Sequence, residues 1–409
     1  MAAMNRVIAS SARADEHRQP GIRILRRPGH RNRDKSQELL PRVLPPSERT
    51  GIAEVWRYVE ATAGDDITPF ARWDWTELWL DHFGDAVPHE YLLIERGGIP
   101  RGVALLTRST LSRGPLRVRR MHLGTAGEPE GGVFVEYNGL CTPQAERAEV
   151  AHTLVAHLHR TGGWDEVHLN GFDPAHAAPL LAAERRFTVS QKGSPLLELD
   201  TAADDLVKTL RSRNARATVR RSLRGISPYT TEWAHDAARA HAILDELKQL
   251  HQQRWQARGE PGAFASERFQ SFHRRLVERW VPAGRAVVFA VRCANETVAA
   301  LYGFVVGDTL QYYQGGFRIF DHNKVRAGYA AHLLLAGAAR ARGLSNYEYL
   351  VGDDRYKTEL STTQRTLIWA TLVRRRPRAM AIQAARIARR SLRDRRTDDI
   401  SEMIADHGR

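Results

Sequence analysis

Two stretches of this chain, 181 residues apart, run through the same punctuation. Gly162, Leu169, Gly171 and Asp173 recur as Gly343, Leu350, Gly352 and Asp354. In both places a helical pattern stops at a glycine and a short strand pattern follows. The first helix is read over Ala145–Arg160, stopped by Gly162-Gly163, with a strand at Glu166–Leu169. The second is read over Gly328–Arg342, stopped by Gly343, with a strand at Tyr347–Leu350. Hairpins precede both units. Tyr91–Glu95 and Val103–Thr107 flank Gly97-Gly98, and Ala286–Arg292 and Val298–Val306 flank Ala294-Asn295-Glu296. A strand at Leu116–Leu123 and another at Thr309–Gln314 complete the parallel. Repeated element order points to a duplicated α/β domain. The expected division is 51–200 and 201–373, and a length of 409 residues suits two domains.

The charge lies at the ends. Residues 1–50 carry 11 basic and 5 acidic side chains, residues 371–409 carry 11 and 5, and the 320 residues between have 39 and 37. A nearly neutral body disfavours a dedicated nucleic-acid binder. Residues 1–50, poor in apolar periodicity and punctuated by proline, read as a disordered basic arm. Residues 374–409 read as a basic amphipathic tail. An arginine cluster at Arg374–Arg378 and a helix at Met380–Leu392 suit weak contact with an anionic membrane surface. Both termini are therefore expected to be flexible. No uninterrupted apolar run is long enough to span a bilayer, and no signal-peptide core opens the chain. Two cysteines support neither a disulfide framework nor a four-cysteine zinc site. These features lead us to expect a cytoplasmic protein, peripheral at most to the inner face of a membrane.

Candidate chemistry gathers in the second half. Arg326-Ala327-Gly328-Tyr329-Ala330 heads a helix that follows a strand. Free amides and a positive dipole end make such a position suited to a pyrophosphate. Gly352-Asp353-Asp354-Arg355-Tyr356-Lys357 follows the next strand, where sites form in open sheets. There Tyr356 suits a general acid, Asp353 a base or amine anchor, and Lys357 a partner for phosphate or carboxylate. In Gln311-Tyr312-Tyr313-Gln314-Gly315-Gly316, alternation sends Tyr313 and Tyr312 to opposite faces, one towards a cleft, and the glycines suggest a bulge or close approach. Arg213, Arg216, Arg220 and Arg224 fall on one helix face, a cationic stripe for anionic groups. His251 and Trp255, with Arg254, could line an acceptor pocket. Each of these features also has a plain structural reading, as a solvated turn, a packed strand or an exposed face. No metal-binding, Walker or serine-hydrolase motif is present, so no metal is expected.

Taken in order, these segments resemble the GNAT acyltransferase superfamily. They look most like its CelD/BcsL branch, linked to cellulose and exopolysaccharide biosynthesis, and are similar in turn to the FemAB aminoacyl transferases with two GNAT-like domains. The resemblance is carried by Leu210–Ser222, His251 to Arg258, Val298–Gly303, Gln311–Phe317, Gly328 with its helix, and Gly352-Asp353 to Tyr356-Lys357. Trp75, Leu123-Gly124 and Glu136-Tyr137-Asn138-Gly139 carry it in the first half. It spans roughly 55–375 and departs at Val325, where the superfamily's cofactor loop has Gln or Arg.

The resemblance implies tandem GNAT-like domains, with mixed, mostly antiparallel sheets flanked by helices, and cofactor only in the second. It implies acetyl-CoA or another acyl-CoA as co-substrate, held by Gln314, Arg326, Ala327, Gly328, Tyr329 and Ala330. The acceptor would be a sugar, lipid or small molecule, met by Arg216, Arg220, His251, Trp255 and Tyr313. Asp353, Tyr356 and Lys357 would serve catalysis. Two alternatives stand beside this reading. One is a Fem-like transferase using aminoacyl-tRNA, the single nucleic-acid partner expected. The other is a non-catalytic binding partner built on a decayed GNAT fold.

Overall fold

Leu39 and Leu44 are buried while the residues between them are partly or fully exposed. That pattern makes an edge strand, β1 (Leu39–Leu44), which pairs antiparallel with the hairpin that follows. The basic arm expected over residues 1–50 therefore gives way to structure earlier, because this short segment buries two leucines. The computed structural model describes residues 38–375 apart from 114, 115, 130, 200, 201, 203 and 321–323. The rest of the arm, the 376–378 part of the arginine cluster and the tail helix read over Met380–Leu392 lie outside the described residues.

After β1 the first half continues through α1 (Arg49–Ala63), α2 (Trp73–Phe83), β2 (His89–Arg96), β3 (Ile99–Arg113) and β4 (Leu116–Leu123). It then forms α3 (Arg147–Thr161), β5 (Glu166–Phe172), α4 (Pro174–Ala183) and β6 (Thr188–Glu198). Two connecting helices follow, α5 (Leu206–Thr209) and α6 (Arg213–Gly225). The order then repeats as β7 (Tyr229–Trp233), α7 (Ala237–Gln256), α8 (Glu267–Trp280), β8 (Ala286–Cys293), β9 (Glu296–Val306) and β10 (Thr309–Phe317). It ends with α9 (Ala327–Arg340), β11 (Asn346–Glu348), α10 (Arg355–Glu359) and β12 (Thr363–Val373). Local chemistry sets several boundaries. Ser212, Asp236 and Ser266 cap α6, α7 and α8 with side-chain oxygens. Gly97 and Gly98 take the left-handed turn between β2 and β3 at φ 58° and 82°.

The strands form one sheet of mixed, mostly antiparallel pairing, flanked by helices, where the duplication suggested separate sheets. Its order is β1-β2-β3-β4-β5-β12-β6-β11-β10-β9-β8-β7. Read from either edge, the order is equivalent: 1-2-3-4-5-12 from one side and 7-8-9-10-11-6 from the other. The last strand of each half has crossed into the other half's sheet. β6 pairs with β11, β12 pairs with β5, and the two exchanged strands pair antiparallel with each other at the centre. Helices join the halves as well. Trp75 of α2 meets Phe272 and Trp280 of α8 and Phe304 of β9, all in one buried cluster.

Candidate active site

β10 and β11 run parallel and pair only from Thr309 opposite Asn346 to Gln311 opposite Glu348. Beyond that they part. β10 bulges between Tyr312 and Gln314, and Leu350 turns left-handed at φ 57° just past β11. Two parallel strands that stop pairing leave a wedge with backbone groups along its rims. β10 also meets α7 closely, since a Cβ added at Gly316 would come within 2.4 Å of the Leu247 carbonyl oxygen.

α9 starts beside this wedge, and α6 decides where. The Arg326 amide donates to Ser222 Oγ at 3.0 Å. Val325 lies hard against Gly225, where an added Cβ would come within 2.4 Å of its methyl. Arg326 supplies no side-chain cap, and the amides of Ala327 and Gly328 have no hydrogen-bond partner among the described residues. A helix end with free donors carries positive potential. Packing does not require glycine at 328, because an added Cβ would meet the Phe317 ring at an ordinary 3.5 Å. What the missing side chain provides is access to the helix end.

A cavity of about 480 Å³ opens there, lined by Arg254, Arg318, Arg326 and Arg355 together with Phe317, Phe320 and Tyr356. Its size is in the range of small-molecule sites. Arg318 is paired with Glu296 and Arg355 with Glu359, whereas Arg254 has no ion-pair partner among the described residues. The cavity thus combines apolar walls with cationic corners at a helix N-terminus, an arrangement suited to a phosphorylated ligand with an uncharged tail.

Of the residues expected to bind cofactor, Arg326, Ala327, Gly328 and Tyr329 line this cavity. Ala330 is buried in the packed face of α9, and Gln314 lies opposite Tyr302 on β10, outside the lining. The Tyr329 hydroxyl donates to Glu359 at 2.5 Å, which fastens α9 to α10, and burial raises its pKa to about 12.

The expected catalytic residues separate. Tyr356 reaches the cavity with its ring stacked on His332 at 5.1 Å. Burial first, then Tyr312 and Asp354, hold its hydroxyl well above the ordinary phenol range, so it stays protonated. Asp353 is exposed on the loop. Lys357 departs from the reading as an anion partner. It is buried, and its ammonium donates to the carbonyls of Val351 at 2.8 Å and Leu350 at 3.3 Å. Two carbonyls left free by the left-handed turn capture it, and burial pushes its pKa down.

The expected acceptor residues do not converge on the cavity either. Arg216 folds back onto the carbonyls of Leu210 and Arg211 ahead of α6, and Arg220 reaches Asp205 at 3.5 Å. His251 is buried against Phe264, while Trp255 is partly exposed beside Arg258. Arg254, on the same helix, is the one that lines the cavity. Tyr313 faces away from Tyr312, packs on His273 and Phe304, and accepts a hydrogen bond from the Phe134 amide at 3.1 Å.

The first half has a wedge of its own, and it is filled. β4 and β5 pair from Arg120 to His122 and then part. Asn138, fully enclosed, stitches the gap. Its side chain donates to the Leu123 carbonyl at 2.9 Å, its amide to the Gly171 carbonyl at 2.8 Å, and its carbonyl accepts from the Asp173 amide at 2.9 Å. The residues just before it reach the second half. Tyr137 donates to Glu348, and Glu136 accepts from the Val351 amide at 2.9 Å. In the sequence Glu136 is only one residue of a stretch that carries the resemblance. Nothing local could place it beside a residue 215 positions away.

The fold is similar to solved structures at low identity. A crystal structure of FemX superposes with a TM-score of 0.50 at 11% identity, covering 78% of this chain and 94% of that one. The L-PGS structure from Bacillus licheniformis gives 0.49 at 12% identity, with 82% and 95% covered. A tandem GNAT protein from the clavulanic acid biosynthesis pathway gives 0.41 at 14%, with 82% and 98% covered. No curated protein matches the sequence. No group of histidine, cysteine and acidic side chains among the described residues could hold a metal ion. No helix among them is long and apolar enough to cross a membrane. Residues 213–358, the stretch that holds the wedge, the α9 terminus and the cavity, match the acetyltransferase (GNAT) domain.

Proposed function

We propose that this protein is an acyl-CoA-dependent acyltransferase whose single working site is the wedge of the second half. The observation that carries the reading is the open N-terminus of α9. Its free Ala327 and Gly328 amides face a cavity of about 480 Å³ with arginines at the corners. Those amides and Arg326 would take the pyrophosphate, and the thioester would lie where β10 and β11 part. Backbone donors at the wedge would stabilise the oxyanion, and Tyr356, held protonated, would supply the leaving thiolate with a proton. The acceptor is an amine or hydroxyl on a sugar, lipid or small molecule. A role in polysaccharide or envelope assembly, as in the CelD/BcsL branch, belongs to this reading.

Calorimetry with acetyl-CoA and longer acyl-CoAs tests it. Gly328→Glu should weaken acyl-CoA binding by at least about 2 kcal/mol, since it puts a carboxylate where a charge-assisted phosphate contact should form. Gly328→Ala, which the backbone and the Phe317 ring accommodate, should bind far better than the glutamate variant. A folded Gly328→Glu protein with unchanged affinity would remove the cofactor assignment. Tyr356→Phe should lower turnover with little change in melting temperature. Activity that tracks the folded fraction would instead make Tyr356 a packing residue.

A second reading is favoured by one observation. Arg213, Arg221 and Arg224 are exposed on α6 without an ion-pair partner among the described residues. A cationic row of this kind beside the cavity suits the longer polyanion of an aminoacyl-tRNA donor. Binding of charged tRNA in preference to acyl-CoA would select this reading.

A further inference from the structure

We propose that Glu136, contributed by the first half, is the general base that takes the acceptor's proton at the wedge of the second half. The role rests on the acyltransferase reading above.

Position comes first. The segment carrying Glu136 crosses from the first half over the end of β5. Gly171 makes room for it, since a Cβ there would come within 2.6 Å of the Val135 carbonyl and 3.1 Å of the Glu136 Cα. Phe134 and Tyr137, two residues before and one after, bond to Tyr313 on β10 and Glu348 on β11. Glu136 itself accepts the Val351 amide at 2.9 Å. The segment therefore touches both strands that border the wedge, and Glu136 stands between those contacts, half-buried.

Backbone strain comes second. Four non-glycine residues among those described have a positive φ. Two of them flank this one contact: Tyr137, at 60°, follows Glu136, and Leu350, at 57°, precedes Val351. Left-handed conformations at bulky residues cost about 1–3 kcal/mol each and persist where surrounding structure imposes them. Here both serve to bring a carboxylate and a backbone amide together across the halves.

The surroundings then decide what that carboxylate can do. Burial pushes Glu136 up to about 7, against the pull of the Val351 amide, Lys357 and Lys192, with Glu348 adding repulsion. Other groups nearby cannot share the task. Glu348 is enclosed and bonded to Tyr137, Ser194 and Arg365. His332 and His273 are buried and held neutral. Asp353 is exposed to water. Glu136, bonded to the amide just past β11 and poised near neutral pH, is the group left to exchange a proton at the wedge.

The step balances simply. The acceptor's nitrogen or oxygen forms a bond to the thioester carbonyl carbon, and its proton passes to the Glu136 carboxylate. The carbon–sulfur bond then breaks, and the sulfur leaves as a thiolate protonated by Tyr356 or water. Glu136 returns its proton to solvent, and Tyr356 is reprotonated from solvent.

The test uses the full chain, acetyl-CoA as donor and hydroxylamine as acceptor, with released thiol as the readout. Glu136→Gln keeps an oxygen for the Val351 amide, so the fold and the acetyl-CoA Kd should hold within about twofold. The kcat should fall about 100-fold, and the limb of the pH–rate profile near 7 should disappear. Glu136→Asp should retain that limb with a lower rate. Intact acetyl-CoA binding with an unchanged kcat and pH profile in Glu136→Gln would overturn the role of Glu136 and leave the acyltransferase reading standing. Failure of the wild-type protein to bind acetyl-CoA would overturn that reading and this role with it. Binding without thiol release from the wild type would count against both.

Discussion

Lowering the pH from 4.5 to 3.5 is expected to cost the fold about 4 kcal/mol, a large share of a typical folding stability and so a drive towards an acid transition. The cause is three buried imidazoles. His122, His273 and His332 are 8%, 0% and 1% exposed, and burial above all pushes each pKa down to about 3. In the unfolded chain a histidine titrates near 6.5. Between those values the unfolded state binds more protons, so stability rises with pH and is lost as pH falls from 6.5 towards 3. Each site contributes about 1.4 kcal/mol per pH unit in that interval.

Glu136 opposes them higher up. Its folded pKa of about 7 exceeds the unfolded value, so it favours the fold as pH falls from 7 to about 4.5. Below that the histidines act unopposed by it. Tryptophan fluorescence and far-ultraviolet circular dichroism across pH 3–7 would follow the transition. His273→Phe should soften it. The residue sits among Phe269, Phe272, Tyr302 and Tyr313, and its Nε2 has no hydrogen-bond partner among the described residues. A native signal that survives at pH 3 would refute the account.

Trp75→Ala should be the most damaging single truncation, by about 3–5 kcal/mol from lost burial and the cavity left behind. Its indole is fully enclosed, edge-on to Phe70 at 4.7 Å and Phe272 at 5.0 Å, and Nε1 donates to Thr125 Oγ1 at 2.9 Å. Removing it also strands a buried hydroxyl. Because Phe272 belongs to α8, the loss spans both halves. Urea unfolding should shift as a single transition to a lower midpoint. Two separated transitions, with only the first half weakened, would show that the halves do not share this core. Trp75→Phe should recover part of the loss while leaving Thr125 unpaired.

Elements whose evidence is local were legible in the sequence. The strand at Leu116–Leu123 and the hairpin around Gly97-Gly98 needed only alternation and a turn signal. α9 was carried by a helical pattern ending before Gly343. β6 was missed because its first six residues, Thr188 to Gly193, are all exposed and offer no apolar alternation. It is a strand because β12 lies beside it, and that partner is more than 160 residues away in sequence. The candidate site divides in the same way. The α9 terminus announced itself through Gly328 and its neighbours. The cavity's other arginines come from α7, the loop after β10 and α10, and Glu136 from the other half. Lys357 looked available because no sequence pattern shows that the carbonyls of Leu350 and Val351 would claim it.

The exchanged strands carry a consequence for biosynthesis. As the chain leaves the ribosome, the first half emerges with β5 lacking its second neighbour, because β12 is translated last of the described strands. β6 is made early but has no partner until β11 and β12 appear. Neither half can complete its hydrogen-bond ladder before β12 has been made, so the central pairing must form after Val373 has emerged. Until then β5 and β6 present open edges to solvent or to a chaperone. A fragment limited to residues 213–358 would carry a permanent open edge of its own along β11, since both central strands lie outside it.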